Sequence, residues 1–150
     1  MFRGVAKFNL DAKGRMAIPA KFRKLLDVCC DGRLVVTIDH AEHCLQMYPL
    51  AEWEMVEQKL VSLPSLDPKV RQLKRMLLGN ATECEMDSHG RILLPPKLRE
   101  FADLEKESVM SGQGNKFEIW NEGAWNSLMD ESVELGFDGD LPTALESLSI

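Results

Sequence analysis

The chain is poor in the residues that most often carry chemistry. It has four cysteines, three histidines and one tyrosine in 150 residues. No apolar run approaches the roughly 18 residues of a membrane-spanning helix. The longest uninterrupted stretches, such as Ile92-Leu93-Leu94, are only strand-length. The N-terminus MFRGVAKFNLDAKGR lacks the continuous apolar core of a signal peptide, so a cytosolic chain is expected. Cys29, Cys30, Cys44 and Cys84 include an adjacent pair but no C-x-x-C, which argues against both a disulfide framework and a zinc site. Reduced, mostly structural thiols fit better. His40-x-x-His43-Cys44 has no fourth ligand in the sequence and reads as a loop; no metal and no cofactor is expected. There is no G-x-S-x-G, Walker loop or Cys-His constellation. With 10 glycines and 7 prolines the chain is not low-complexity, and 45% apolar residues suit one ordinary domain or two very small ones. The net charge of -6, with a pI near 5.1, argues at first against holding nucleic acid by bulk charge.

What the chain does have is a repeat of itself. Phe8 to Asp27 reads FNLDAKGRMAIPAKFRKLLD, and Cys84 to Asp103 reads CEMDSHGRILLPPKLREFAD. At an offset of 76, seven of these 20 positions are identical: Asp11/Asp87, Gly14/Gly90, Arg15/Arg91, Pro19/Pro95, Lys21/Lys97, Arg23/Arg99 and Asp27/Asp103. At an offset of 72, Leu45-Gln-Met-Tyr48 aligns with Phe117-Glu-Ile-Trp120, and Trp53 with Trp125. Identities that include Gly, Pro and both charges of one short motif are poorly explained by chance.

Each copy reads as a β-α-β-β-α unit. Alternation from Val5 to Leu10 leads into an Asp-x-x-Gly turn, three apolar residues, and a Pro suited to the first turn of a short helix. Phe22, Leu25 and Leu26 are placed on the inward face of that helix, with Lys21 and Lys24 on the other; Leu98, Phe101 and Ala102 repeat the stripe. Two strands follow, Leu34 to Ile38 with Cys44 to Tyr48, and Ser108 to Ser111 with Phe117 to Trp120. A helix then carries a packing Trp, Leu50 to Leu63 around Trp53 and Glu122 to Ser132 around Trp125. Units of about 70 residues are marginal alone, so the two should share one core. The organisation is a first repeat over 1–63, a linker helix within 64–80, a second repeat over 81–132 and an acidic tail over 133–150. The linker helix runs from Pro68 to Leu78, with Asp67 as N-cap and Gly79-Asn80 as its stop; Arg71, Lys74 and Arg75 form its solvated face. The Gly/Pro-punctuated tail is read as peripheral and partly mobile.

The turns D-A-K-G-R (Asp11 to Arg15) and D-S-H-G-R (Asp87 to Arg91) carry the candidate site. An Asp there accepts backbone N–H groups two or three residues on, and the Gly takes positive φ without strain. The Arg is then held beside its own Asp at the start of a strand, while Lys13 or His89 points outward. An Asp11/Asp87 acid-base dyad is the enzymatic rival, but an Arg beside each acid keeps it ionised and the Asp-Thr/Ser-Gly order of aspartic proteases is missing. No enzyme is expected.

Two D-x-x-x-R motifs in tandem, each followed by an apolar triplet and P-x-K-[FL]-R, together with the opening MFRG, resemble the MraZ family of bacterial transcriptional regulators. The similarity runs from Met1 to about Leu141. The resemblance implies an α+β fold, a β-rich swapped-hairpin barrel of the AbrB/SpoVT type built from both repeats, with peripheral helices and assembly of protomers into a ring. It implies binding to double-stranded DNA at direct repeats in the promoter of a cell-division and cell-wall operon, and association with the nucleoid. The DNA-binding role then falls on Asp11 and Arg15, and on Asp87 and Arg91, each Asp orienting its Arg. Lys13, His89, Arg3 and Lys7 complete the candidate surface. A second reading from another class is an AbrB-like, antitoxin-type module whose main partner is a protein.

Splitting the charge by repeat changes its meaning. Residues 1–33 carry +5, residues 34–63 carry -4, the linker 64–80 carries +3, residues 81–110 carry -3 and residues 111–150 carry -7. Glu83 and Glu85 precede the second turn where Lys7 and Asn9 precede the first. Copy one is therefore expected to hold DNA, with copy two mainly completing the fold or packing against neighbouring protomers.

Overall fold

The computed structural model describes residues 1–135, 142–145 and 147–148; half of the acidic tail expected to be mobile lies outside them. The first repeat comprises β1 (Phe2–Asn9), β2 (Arg15–Ala17), α1 (Ala20–Cys30), β3 (Arg33–Ile38), β4 (Leu45–Pro49) and α2 (Leu50–Ser62). A connecting helix α3 (Pro68–Leu77) leads into the second: β5 (Thr82–Glu85), β6 (Arg91–Leu93), α4 (Pro96–Phe101), β7 (Glu107–Gly114), β8 (Phe117–Asn121) and α5 (Glu122–Leu135). A 3-10 turn spans Thr143–Leu145. Each copy is thus β-β-α-β-β-α, one strand more than its sequence suggests. The extra strand arises because the Asp-x-x-Gly turn folds the chain back, Asp11 N–H donating to the Arg15 carbonyl and Asp87 N–H to that of Arg91.

The copies exchange their first strands. The antiparallel six-stranded sheet has the order β1-β7-β8-β4-β3-β5, so β1 of copy one lies on the β7–β8 hairpin of copy two, and β5 of copy two lies on the β3–β4 hairpin of copy one. The two hairpins meet at β4–β8, where Leu45 faces Ile119. The short strands β2 and β6 form a separate two-stranded ladder, Met16 opposite Ile92. The six-stranded sheet is antiparallel in a mixed α/β fold, and its ladders do not close the expected swapped-hairpin barrel. Among the described residues the sheet is open between β1 and β5, and the β2–β6 ribbon spans that opening, linked to β1 through the Leu10–Met16 bridge and to β5 through the Asp87–Arg91 turn. At four residues, β5 is half the length of β1, and each chain turns off into the ribbon before the edges can pair.

Period-2 alternation divides the sheet's side chains between two layers. On one face Leu34, Val36, Leu45, Met47, Met110, Phe117 and Ile119 pack against Met16 and Ile92 of the ribbon, against Phe22 and Leu26 of α1, and against Leu98 of α4 and Ala102 just after it. Both copies supply this core in an interleaved way, which is why neither can hold it alone. On the other face Val35 and Tyr48 pack on Trp53 of α2, while Val109, Cys44 and Trp120 meet Trp125 of α5. Leu25 departs from expectation. It is 48% exposed, because the inward stripe of α1 is the narrower Phe22–Leu26 row, and Val28 beside it is 80% exposed.

Helix α3 behaves as its sequence predicts. The Asp67 carboxylate accepts from the Lys69 N–H at 2.8 Å, Pro68 occupies the first turn, and Gly79 N–H closes on the Arg75 carbonyl. Its cations serve the connection: Lys74 Nζ donates to the Leu63 carbonyl at 2.8 Å and to Ser65 Oγ at 2.9 Å, and Arg71 reaches the Ser65 carbonyl at 3.1 Å. The ribbon, α1 and α4 therefore lie on one side of the sheet, and α2, α3 and α5 on the other.

Candidate nucleic-acid interface

The two Asp-x-x-Gly-Arg turns fold alike. In the first, Asp11 Oδ1 accepts from the backbone N–H groups of Lys13 and Arg15, each at 2.9 Å, while Oδ2 accepts from Arg15 Nε at 2.7 Å. In the second, Asp87 takes the His89 and Arg91 N–H groups at 2.8 and 2.9 Å and Arg91 Nε at 3.0 Å. The backbone N–H of Arg15 is the main influence holding the Asp11 carboxyl below its ordinary value, and that of Arg91 does the same for Asp87. Both acids stay ionised at neutral pH, which fixes both arginines. Each guanidinium commits its Nε inward, and among the described residues its Nη groups have no protein partner.

The ribbon places both arginines on one surface. Met16 and Ile92 point into the core, so Arg15 and Ala17 of β2 and Arg91 and Leu93 of β6 share the outer face. Arg15 lies opposite Leu93, and Arg91 opposite Ala17, a diagonal pair related by the pseudo-twofold of the repeat. Leu93 is 60% exposed between them. Lys13 and His89 project from the turns at the two ends of the ribbon, both exposed.

The other two predicted positions lie elsewhere. Lys7, on β1, pairs with Glu122 at the start of α5 at 3.1 Å. Arg3 faces Gln113 near the far end of β1. Eight residues of largely extended chain before Asp11 place it roughly 26 Å up the strand. The structure thus brings together Asp11, Lys13, Arg15, Asp87, His89 and Arg91, and leaves Arg3 and Lys7 off the ribbon.

The tandem repeat is also seen in comparison with known proteins. The family model of the MraZ protein, described as antitoxin-like, matches twice in tandem, over residues 1–76 and 77–146. The chain is 57% identical over 129 residues to the transcriptional regulator MraZ of Nitrosococcus oceani, covering 86% of this chain and 87% of that protein. It is 54% identical to that of Thioalkalivibrio sulfidiphilus over the whole of both chains, and 48% identical to that of Pseudomonas aeruginosa over 99% of each. The chain belongs to the MraZ family.

Two features of this MraZ-family chain escape a reading of the sequence. The P-x-K-x-R arginines reach across the repeats. Arg99 of α4 lies over Gly14 of the first turn, and Arg23 of α1 over Gly90 of the second. The repeated identity Arg23/Arg99 was the visible signal, but its target is in the other copy and so has no sequence spacing. The second feature is a groove of about 540 Å³ beside the first turn, lined by Lys13, Glu85, Leu93, Pro95 and Arg99 among others.

His40 and His43 are exposed, and the His43 ring packs 5.1 Å from that of Phe101. Asp39, Cys44 and Glu118 do converge. Asp39 accepts from the N–H groups of Ala41 and Glu42 and from Gln46, and Glu118 Oε1 accepts from Trp120 Nε1. Burial pushes the Cys44 thiol far up from its ordinary value, which keeps the free thiol protonated. No helix among the described residues is long and apolar enough to cross a membrane.

Proposed function

We propose that this protein is a transcriptional regulator, as its relatives' names state for them, that it acts by binding DNA, and that the outer face of the β2–β6 ribbon is its DNA-reading surface. The observation that carries the reading is the diagonal pair Arg15/Arg91 on one exposed two-stranded ribbon, each held by its own Asp. A B-DNA major groove admits a two-stranded ribbon, and an arginine fork matches the guanine edge or a phosphate. Lys13 and His89 flank the ribbon, where phosphates of the groove walls would lie. The acidic helix α5, with Glu122, Asp130, Glu131 and Glu134, sits on the opposite side of the sheet and turns away from the DNA.

The first repeat, 1–63, holds DNA more strongly than the second, 81–132, because Glu83 and Glu85 are exposed on the strand leading into the second turn. The exchange of first strands supports reading the protomer as an AbrB/SpoVT-type swapped-hairpin unit with both halves in one chain. One protomer offers few cationic contacts, and each phosphate contact adds a slope of about -0.9 to log affinity against log salt. Assembly of protomers into a ring that matches promoter direct repeats makes later contacts intramolecular and raises avidity by about 10²–10⁴. The regulated promoter is that of the cell-division and cell-wall operon, and the protein resides in the cytoplasm on the nucleoid.

Mobility shifts with DNA from upstream of the protein's own coding sequence test the reading, comparing one repeat with several across a salt series. Arg15→Ala should weaken binding more than Arg91→Ala. Equal binding to single- and multi-repeat duplexes would refute the avidity argument, and unchanged binding by Arg15→Ala would refute the ribbon as the DNA surface. The exposed apolar residues Leu25 and Val28 on α1 favour a protein partner as a second reading; co-purification of a stoichiometric protein would support it.

A further inference from the structure

The two turns are not independent modules, because each is covered by a side chain from the other repeat. Gly14 and Gly90 are both buried, although each sits in a surface turn next to a DNA-facing arginine. What covers them is a guanidinium. A Cβ placed on Gly14 would fall 2.6 Å from Arg99 Cζ and 2.8 Å from Arg99 Nε, and one on Gly90 would overlap Arg23 at Nε, Cδ and Cζ. Both guanidiniums are tethered. Arg99 Nε donates to the Leu94 carbonyl at 3.1 Å, and the Leu94 N–H in turn donates to the Gly14 carbonyl at 2.9 Å. Arg23 donates from Nη2 to the Ile18 carbonyl at 2.8 Å, and the Ile18 N–H donates to the Gly90 carbonyl at 2.9 Å.

We propose that Arg99 and Arg23 are positioning residues that hold the DNA-contacting turn of the opposite repeat, so that the first turn, with Arg15, is completed by the second repeat. This rests on the reading of the Asp11–Arg15 turn as a DNA contact. The physical reason lies in the turn itself. Asp11 ties together Lys13 and Arg15 on one side of the loop, while Gly14, which has no side chain, leaves the other side open. A planar guanidinium, held through its own Nε, fills that side and fixes the plane of the Gly14 peptide, which immediately precedes Arg15. A lysine has neither the plane nor the second point of attachment. Copy two therefore contributes to DNA binding through Arg99 acting on Arg15, even where its own Arg91 contributes little.

Double-mutant cycles in the full-length protein, read by mobility shift on the upstream duplex at fixed salt, test this. Arg99→Ala should weaken binding about tenfold, on the scale of one specific contact. It should have little further effect in the Arg15→Ala background and its full effect in the Arg91→Ala background. Arg99→Lys should not restore affinity. Amide exchange in the free protein should accelerate at Lys13 and Arg15 in Arg99→Ala, and not at His89 and Arg91. Equal effects of Arg99→Ala in both backgrounds, or full rescue by Arg99→Lys, would show a direct phosphate contact and overturn the proposal. So would unchanged exchange in the first turn. If Arg15→Ala itself binds normally, the DNA reading of the turn fails, while the exchange measurement still decides the brace. Should Arg99→Ala not fold, Arg99→Lys carries the same cycle and the same exchange readout.

Discussion

Gly14→Ala is expected to destabilise the protein by about 2–4 kcal/mol, through two effects that experiment can separate. The residue has φ of +86°, in the left-handed region. An L side chain there costs roughly 1–2 kcal/mol. The new methyl group also falls 2.6 Å from Arg99 Cζ, so the guanidinium must move off the Leu94 carbonyl that it holds at 3.1 Å. A hydrogen bond from a charged donor contributes about 1.5–3 kcal/mol, and the half-buried position of Arg99 places the loss nearer 1–2 kcal/mol. For 150 residues, each kcal/mol shifts Tm by about 2–4 °C, which gives a drop of roughly 4–16 °C at fixed protein concentration. Thermal melts of wild type, Gly14→Ala, Arg99→Ala and the double variant close the cycle. Once Arg99 is gone the steric share disappears and the backbone share remains, so the double variant should be more stable than the sum of the singles predicts, by about 1–2 kcal/mol. Strict additivity would refute the contact between repeats. An unchanged Tm in Gly14→Ala would refute the turn geometry altogether.

Three further outcomes are expected. Asp11 and Asp87 have folded pKa values depressed below 3.8, so the stabilisation from their turns is fully present above that value and is lost as pH falls through the lower folded values; an acid titration should show Asp11→Asn with a flatter limb below about pH 4, and an identical limb would refute the link. Thiol labelling at mild alkaline pH should mark the exposed Cys29 first; burial raises Cys30 to about 12 and Cys84 to about 11, and the buried Cys44 should react only on unfolding, so early labelling of Cys44 would contradict its packing. Phe117 is fully buried, with its ring 4.4 Å from that of Phe2 and 4.8 Å from that of Phe22, one from each of the first two long elements of copy one. Phe117→Ala should cost about 3–5 kcal/mol in urea melts and unfold both repeats in a single transition; two separate transitions would argue against the shared core.

Much of the local structure was legible because its causes are local. The Asp-x-x-Gly-Arg turns follow from a carboxylate accepting nearby N–H groups and a glycine at positive φ. The cap at Asp67 and the stop after Leu77 follow from side chains within a few residues of the backbone groups they satisfy. The strands β2 and β6 were not legible: three residues show no alternation of their own, and they are strands only because each pairs with the other copy. Leu25 was misplaced for a related reason, since periodicity marks an apolar stripe but not how wide a strip of it the sheet can cover.

The repeat, the paired turns and the separation of positive from negative charge were determined by the sequence alone, because each is a property of residue order. Which copy supports which turn was decided only by the tertiary structure. The first strand of each copy leaves its own hairpin for the other's, and Arg99 and Arg23 follow to cover Gly14 and Gly90. Exchanging the strands preserves every local pattern within a copy, so residue order alone cannot distinguish pairing within a repeat from pairing across it; the distinction lies in long-range packing of one interleaved core.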